Sequence, residues 1–152
     1  MKYMTEIRIN LPRAEVVEQF VSSENLHKWQ PGLVSITRLG GEPGQEGARS
    51  ELVYEGRKGE LVITETISLN KLPDQYNALY ISRGVHNKVE NRFLEEGPET
   101  TLWRTVNTFR FKGMMKLMAP FMKQAFIHNT MLSMDRFKLY VENPEETKLQ
   151  NL

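Results

Sequence analysis

Four polar side chains interrupt apolar alternation in the middle of the chain: Glu65, Asn87, Asn91 and Asn107. Each lies in a segment that alternates like a half-buried strand, and each falls on the more apolar face. Glu65 shares its face with Leu61, Ile63, Ile67 and Leu69. Asn87 and Asn91 alternate with Val85, Val89 and Phe93, and Asn107 with Trp103, Thr105, Phe109 and Phe111. A carboxyl set among aliphatics has its pKa raised, so it can hold a proton or meet a ligand as a neutral acid. The plainer account is a register break that exposes Glu65, or an ion pair with an interior arginine such as Arg83. A buried amide left unpaired costs about 1–3 kcal/mol. The asparagines therefore pair with one another, reach solvent near strand ends, or hold the polar end of a ligand. A few convergent polar groups on an apolar wall are the usual make-up of a small-molecule site.

Other chemistries are poorly supplied. There is no G-x-S-x-G, and the serines have no evident His–Asp partners. His27, His86 and His128 stand far apart without cysteines, so nothing calls for a metal or another cofactor. His128, in a helical segment, reads as a packed histidine or as a base. Glu65, with Tyr80 or His128, would be the one credible acid–base set. G-G-E-P-G-Q-E-G joins two strands and carries two glutamates, which suits a hairpin connection and not a phosphate loop. G-R-K-G is a tight turn with two exposed cations. Aromatic residues on the strands point inward and no basic groove accompanies them, so nucleic acid is not an expected partner.

The elements that must position these residues follow from pattern. Tyr3, Thr5, Ile7 and Ile9 share one face of a first strand. L-P-R-A-E-V-V-E-Q-F-V predicts a helix with Pro12 at its first position. Ser22 or Ser23 caps a second short helix, E-N-L-H-K-W, stopped by Pro31-Gly32. From Leu33 to about Lys112 short strands recur between hairpin-length turns. The third offers Leu52 and Tyr54 inward, and the fifth Tyr76, Ala78 and Tyr80. Beyond Gly113 the pattern is helical to about Glu142. Pro120 breaks it, giving a turn at 114–118 and a main helix from Pro120. Residues 113–126, G-M-M-K-L-M-A-P-F-M-K-Q-A-F, hold four of the eight methionines. Three readings are open for that stretch: core packing, the wall or gate of a pocket, or a peripheral membrane contact with Lys116 and Lys123 at headgroups.

The order is one strand, two short helices, six strands and one long helix. This order, and E-N-L-H-K-W-Q-P-G after the first helix, resemble the START-related or Bet v 1-like superfamily, the SRPBCC proteins that include the polyketide cyclase/dehydrase and lipid-transport group. The resemblance covers residues 1 to about 142. It implies an α+β helix-grip fold: a curved antiparallel sheet of about seven strands wrapped around the long C-terminal helix. Residues 1–142 would form that domain and 143–152 a polar tail. The function it implies is binding, or transport, of a small hydrophobic or amphipathic molecule between sheet and helix. A cyclase or dehydratase using Glu65, and a co-chaperone-like interaction module, are the alternatives. In the binding reading Glu65, Asn87, Asn91 and Asn107 meet the ligand's polar end. Tyr54, Tyr80, Trp103, Phe109, Met118, Phe121, Met122 and Phe126 surround its body.

Composition sets the remaining bounds. The 152 residues are 39% apolar and 26% charged, with a net charge of +1, which gives no overall attraction to polyanions. No cysteine is present, which fits a reducing cytoplasm. Glu6 and Arg8 interrupt the N-terminus where a signal peptide needs an apolar run. No window is long and apolar enough to span a bilayer, so stable membrane insertion is not expected. The sequence names no protein partner.

Overall fold

The computed structural model describes residues 1–145. In chain order the elements are β1 (Lys2–Ile9), α1 (Arg13–Phe20), a 3-10 helix (Ser23–Lys28), β2 (Leu33–Gly40), β3 (Arg49–Gly56), β4 (Gly59–Lys71), β5 (Gln75–Ser82), β6 (Val85–Gly97), β7 (Thr100–Phe111) and α2 (Met114–Glu142). All strands pair antiparallel in one sheet, in the order β1-β7-β6-β5-β4-β3-β2. This is the α+β helix-grip architecture, a curved seven-stranded sheet with α2 against its inner face. α2 ends at Glu142, and of the polar tail expected at 143–152, residues 146–152 lie outside the described residues.

β1 alternates as its sequence requires, with Tyr3, Thr5 and Ile9 buried and Lys2, Met4, Glu6 and Arg8 exposed. α1 begins one residue later than expected. Pro12 is the residue before the first helical position, and its carbonyl accepts the Glu15 and Val16 amides at 3.1 Å each. The second short helix winds as a 3-10 helix. Ser22 precedes it without a side-chain capping bond.

The lower half of the interior is filled by aromatic rings. Phe20 packs edge-on against Phe93, Trp103 and Phe137 at centroid distances of 5.0, 5.2 and 6.0 Å, and Trp29 meets Phe137 at 4.9 Å. Such perpendicular pairs suit the ring quadrupoles, adding to the apolar area buried. α2 is fixed to β1 by Tyr3, whose hydroxyl hydrogen-bonds Thr130 Oγ1 at 2.8 Å and reaches the Phe126 carbonyl at 3.2 Å.

Three expectations from sequence need correction. α2 does not break at Pro120; it runs unbroken over 29 residues with Pro120 inside. The carbonyl deprived of its amide partner belongs to Lys116, on an exposed turn where water can serve it, so the chain continues through the proline. Leu69 does not share the inner face with Ile67. A bulge at Ser68 shifts the β4–β5 register, pairing Ile67 with Ala78 but Leu69 with Asn77, and the following side chains change sides. Leu61 lies near the exposed β3–β4 hairpin and is 48% exposed.

Candidate ligand-binding site

Antiparallel pairing places cross-strand partners on the same face. One row therefore runs across five strands: Phe109 opposite Asn87, Asn87 opposite Tyr80, Tyr80 opposite Glu65, and Glu65 opposite Ser50. Below it, Tyr3, Asn107, Val89, Ala78 and Ile67 form the next inner row. The sheet thus brings Glu65, Tyr80, Asn87, Asn107 and Phe109 together, above the aromatic core. α2 packs chiefly on β1 and β7. The inner residues of β3–β5, Tyr54, Ile63, Glu65 and Tyr80, are only half-buried, and they lie on strands that α2 does not chiefly cover.

Glu65 is neither slipped out of register nor paired with an arginine. Arg83 is exposed in the β5–β6 turn. Instead the Tyr80 hydroxyl donates to Glu65 Oε2 at 2.8 Å. Burial pushes the Glu65 pKa up, and the Tyr80 hydrogen bond offsets part of that rise. The surrounding phenols move the same way. Burial, then the Glu65 charge, raises Tyr54 and Tyr80 well above the ordinary phenol value, and pushes Tyr76 up to about 12. Protonated phenols thus surround a carboxyl whose ionisation burial disfavours.

The asparagines divide into two roles. Asn91 is spent on structure. Its Oδ1 accepts Trp103 Nε1 at 3.0 Å and its Nδ2 donates to the Tyr76 carbonyl at 3.1 Å, so it holds the core tryptophan in place. Asn87 and Asn107 do pair, Nδ2 of the first donating to Oδ1 of the second at 3.0 Å. That bond satisfies half of each amide. Among the described residues Asn87 Oδ1, Asn107 Nδ2, Thr105 Oγ1 and, in the aromatic core, Trp29 Nε1 are buried without a hydrogen-bond partner. Exchanging O and N in both amides still leaves one donor and one acceptor over.

The other expected wall residues scatter. Trp103 belongs to the filled aromatic core. Phe109 and Phe126 stack on each other at 4.7 Å, roofing the polar row from the helix side. Tyr54 donates to Gln30 Oε1 across a long 3.4 Å. Met122 is half-buried on the sheet-facing side of α2. Met118 and Phe121 are 50% and 89% exposed and do not face the hollow. His128 is also exposed, so it cannot serve as a base beside Glu65. Thr105 was legible as inward-facing, but nothing in its residue type marked its hydroxyl as an orphan. No group of His, Asp and Glu among the described residues could hold a metal ion.

A separate cleft of about 260 Å³ lies between α1 and the end of α2, lined by Glu15, Glu18, Gln19 and Tyr140 among others. It is on the outside of the core, away from the polar row, and holds none of the expected site residues.

No protein-family model and no curated sequence matches the chain. Solved structures do match in fold. A protein of Thermus thermophilus is 15% identical, with a TM-score of 0.78 over 95% of this chain and 99% of that one. The Zhui aromatase/cyclase from Streptomyces sp. R1128 is 13% identical, with a TM-score of 0.79 over 93% of each chain. A START superfamily protein from Mycobacterium smegmatis is 13% identical, with a TM-score of 0.76 over 93% of this chain and 97% of that one. The START-related, Bet v 1-like resemblance read in the sequence is therefore borne out as a likeness of fold.

Proposed function

We propose that the chain binds a small, largely apolar molecule in the hollow between the sheet and α2, with an uncharged oxygen function at the row Glu65–Tyr80–Asn87. The observation that carries this reading is the pair of buried polar atoms left without partners at and just below that row, at Asn87 and Asn107. Leaving each unserved costs about 1–3 kcal/mol, which a hydroxyl or carbonyl of a ligand would relieve. Among the described residues no lysine or arginine is paired with Glu65; the one basic residue on its cross-strand row is Arg38, exposed on edge strand β2. A ligand carboxylate or phosphate would meet no cation there, so a neutral end group is favoured. The fold shared with a START superfamily protein and an aromatase/cyclase supports a ligand-holding role.

An enzymatic reading keeps one specific support. Glu65 is a carboxyl with a raised pKa, hydrogen-bonded to a phenol, and a general acid needs such an environment. Of the two partners expected to work with it, Tyr80 lies on the row and His128 lies elsewhere.

The test is native mass spectrometry of the gently purified protein, followed by mass analysis of an organic extract. A retained neutral, oxygen-bearing apolar molecule, lost in Glu65→Gln or Asn107→Leu, supports the reading. A clean apo mass, with no uptake from a mixture of lipids and aromatic metabolites, overturns it.

A further inference from the structure

Residues 114–126, the first three to four turns of α2, carry two apolar stripes. One, Met115, Ala119, Met122 and Phe126, faces the sheet and is buried or half-buried. The other, Met114, Leu117, Met118 and Phe121, has the spacing i, i+3, i+4, i+7 and faces solvent, at 78%, 75%, 50% and 89% exposure. A helix lying on a sheet normally turns polar residues outward. Here the outward stripe is as apolar as the inward one.

Charge is distributed to match. The β3–β4 turn, the β5–β6 turn and the start of α2 lie at one end of the sheet, since Gly56 pairs with Gly59, Ser82 with Val85, and Val85 with Phe111. The contact is tight: Lys112 N donates to the Gly84 carbonyl at 2.8 Å. A Cβ on Gly84, whose φ is +67°, would meet Lys112 O at 2.9 Å. This end carries six exposed cations, Arg57, Lys58, Arg83, Lys112, Lys116 and Lys123, against two acids, Glu55 and Glu60. None of the six takes part in an ion pair among the described residues. The opposite end is more balanced. Segments 41–48, 72–74 and 95–99 hold Glu42, Glu46, Asp74, Glu95, Glu96 and Glu99, of which Asp74, Glu95 and Glu96 are ion-paired with Arg13 and Arg8. A net charge of +1 thus conceals one basic, apolar end.

We infer that the basic end docks on an anionic lipid surface, with Met114, Leu117, Met118 and Phe121 entering the headgroup boundary and the surrounding cations meeting lipid phosphates. Exposed apolar side chains supply the burial, and the cations supply attraction and orientation. The inference stands on exposure and charge alone and does not depend on what the hollow holds.

The experiment is co-flotation with vesicles of phosphatidylcholine and of phosphatidylcholine mixed with phosphatidylglycerol, at low and high salt. The intact chain is compared with Phe121→Glu and Leu117→Glu. Both positions are exposed, so the variants keep the native thermal midpoint, which is checked first. The expected result is binding that needs the anionic lipid, weakens with salt, and falls about tenfold or more in either variant. Absence of binding to the mixed vesicles overturns the inference. So does binding that the two variants leave unchanged. Dimerisation abolished by Phe121→Glu, without vesicle binding, would overturn it in favour of a protein contact.

Discussion

Tyr80 and Glu65 are direct cross-strand partners, and the Tyr80 hydroxyl donates to Glu65 Oε2 at 2.8 Å. Burial outweighs that bond, so the folded pKa of Glu65 lies above its unfolded value. The protonated carboxyl is the form the fold prefers. Its contribution is complete below the ordinary carboxylate range and is lost as pH rises through the raised value. Glu65→Gln is neutral at every pH and removes the dependence. Denaturant unfolding from acid to alkaline pH should show the native chain losing stability relative to the variant, by no more than about 1.4 kcal/mol per pH unit. Parallel profiles would mean that Glu65 is as well solvated in the fold as in the open chain.

The Asn87–Asn107 pair predicts a separation of stability from binding. Each amide makes one mutual bond and leaves one buried atom unserved. Replacing both by leucine removes the bond and both orphans together. The double variant should hold its stability within about 1 kcal/mol or gain, because desolvated atoms cost more than a net hydrogen bond returns. Asn107→Leu alone should cost more than the double variant, since it strands the Asn87 donor. Ligand retention should fall in both. Urea midpoints of the three variants, set beside native mass spectra, check this. A double variant several kcal/mol weaker than either single one would show that the pair is structural.

Asn91 behaves differently, although the sequence presents it as Asn87's twin two turns of alternation away. Both of its amide groups are used, one on Trp103 Nε1 and one on the Tyr76 carbonyl. Asn91→Leu leaves a buried indole N–H unpaired and should destabilise by about 2–3 kcal/mol. A shift in tryptophan emission should accompany it, because Trp103 loses the contact that fixes its ring. A loss under about 0.5 kcal/mol would show that water replaces the amide without penalty.

What could be read from sequence follows from which physics is local. Alternation placed Glu65, Tyr80, Asn87 and Asn107 on the inner face correctly, because the side-chain period of a strand is fixed by its backbone. Leu69 was misplaced because the bulge at Ser68 arises from pairing with β5, which no single segment encodes. Asn87, Asn91 and Asn107 look equivalent in the chain, and only their cross-strand neighbours separate a core brace from an unfilled pair. Met118 and Phe121 were misassigned for another reason. Two apolar stripes with the same helical spacing run along the start of α2, and spacing alone does not say which one meets the sheet. Tyr3, by reaching Thr130 and Phe126, settles the helix rotation through a contact 127 residues away in sequence.

Pro120 offers the last test. α2 passes through it, so the carbonyl of Lys116 lacks its helical amide and the ring crowds the preceding turn. An alanine there restores the donor and removes the crowding. In a helix interior the full difference between the two residues is about 3 kcal/mol. The exposed turn around Lys116 can bend outward and hydrate its carbonyl, which already recovers part of that. Pro120→Ala should therefore stabilise the chain by about 0.5–2 kcal/mol, and should slow amide exchange in residues 117–121. The same variant separates two roles for the proline. If stability rises and vesicle flotation is unchanged, Pro120 only burdens the helix. If flotation falls while stability rises, the proline sets the angle at which Phe121 and Leu117 are presented, and the cost in stability is tied to that surface.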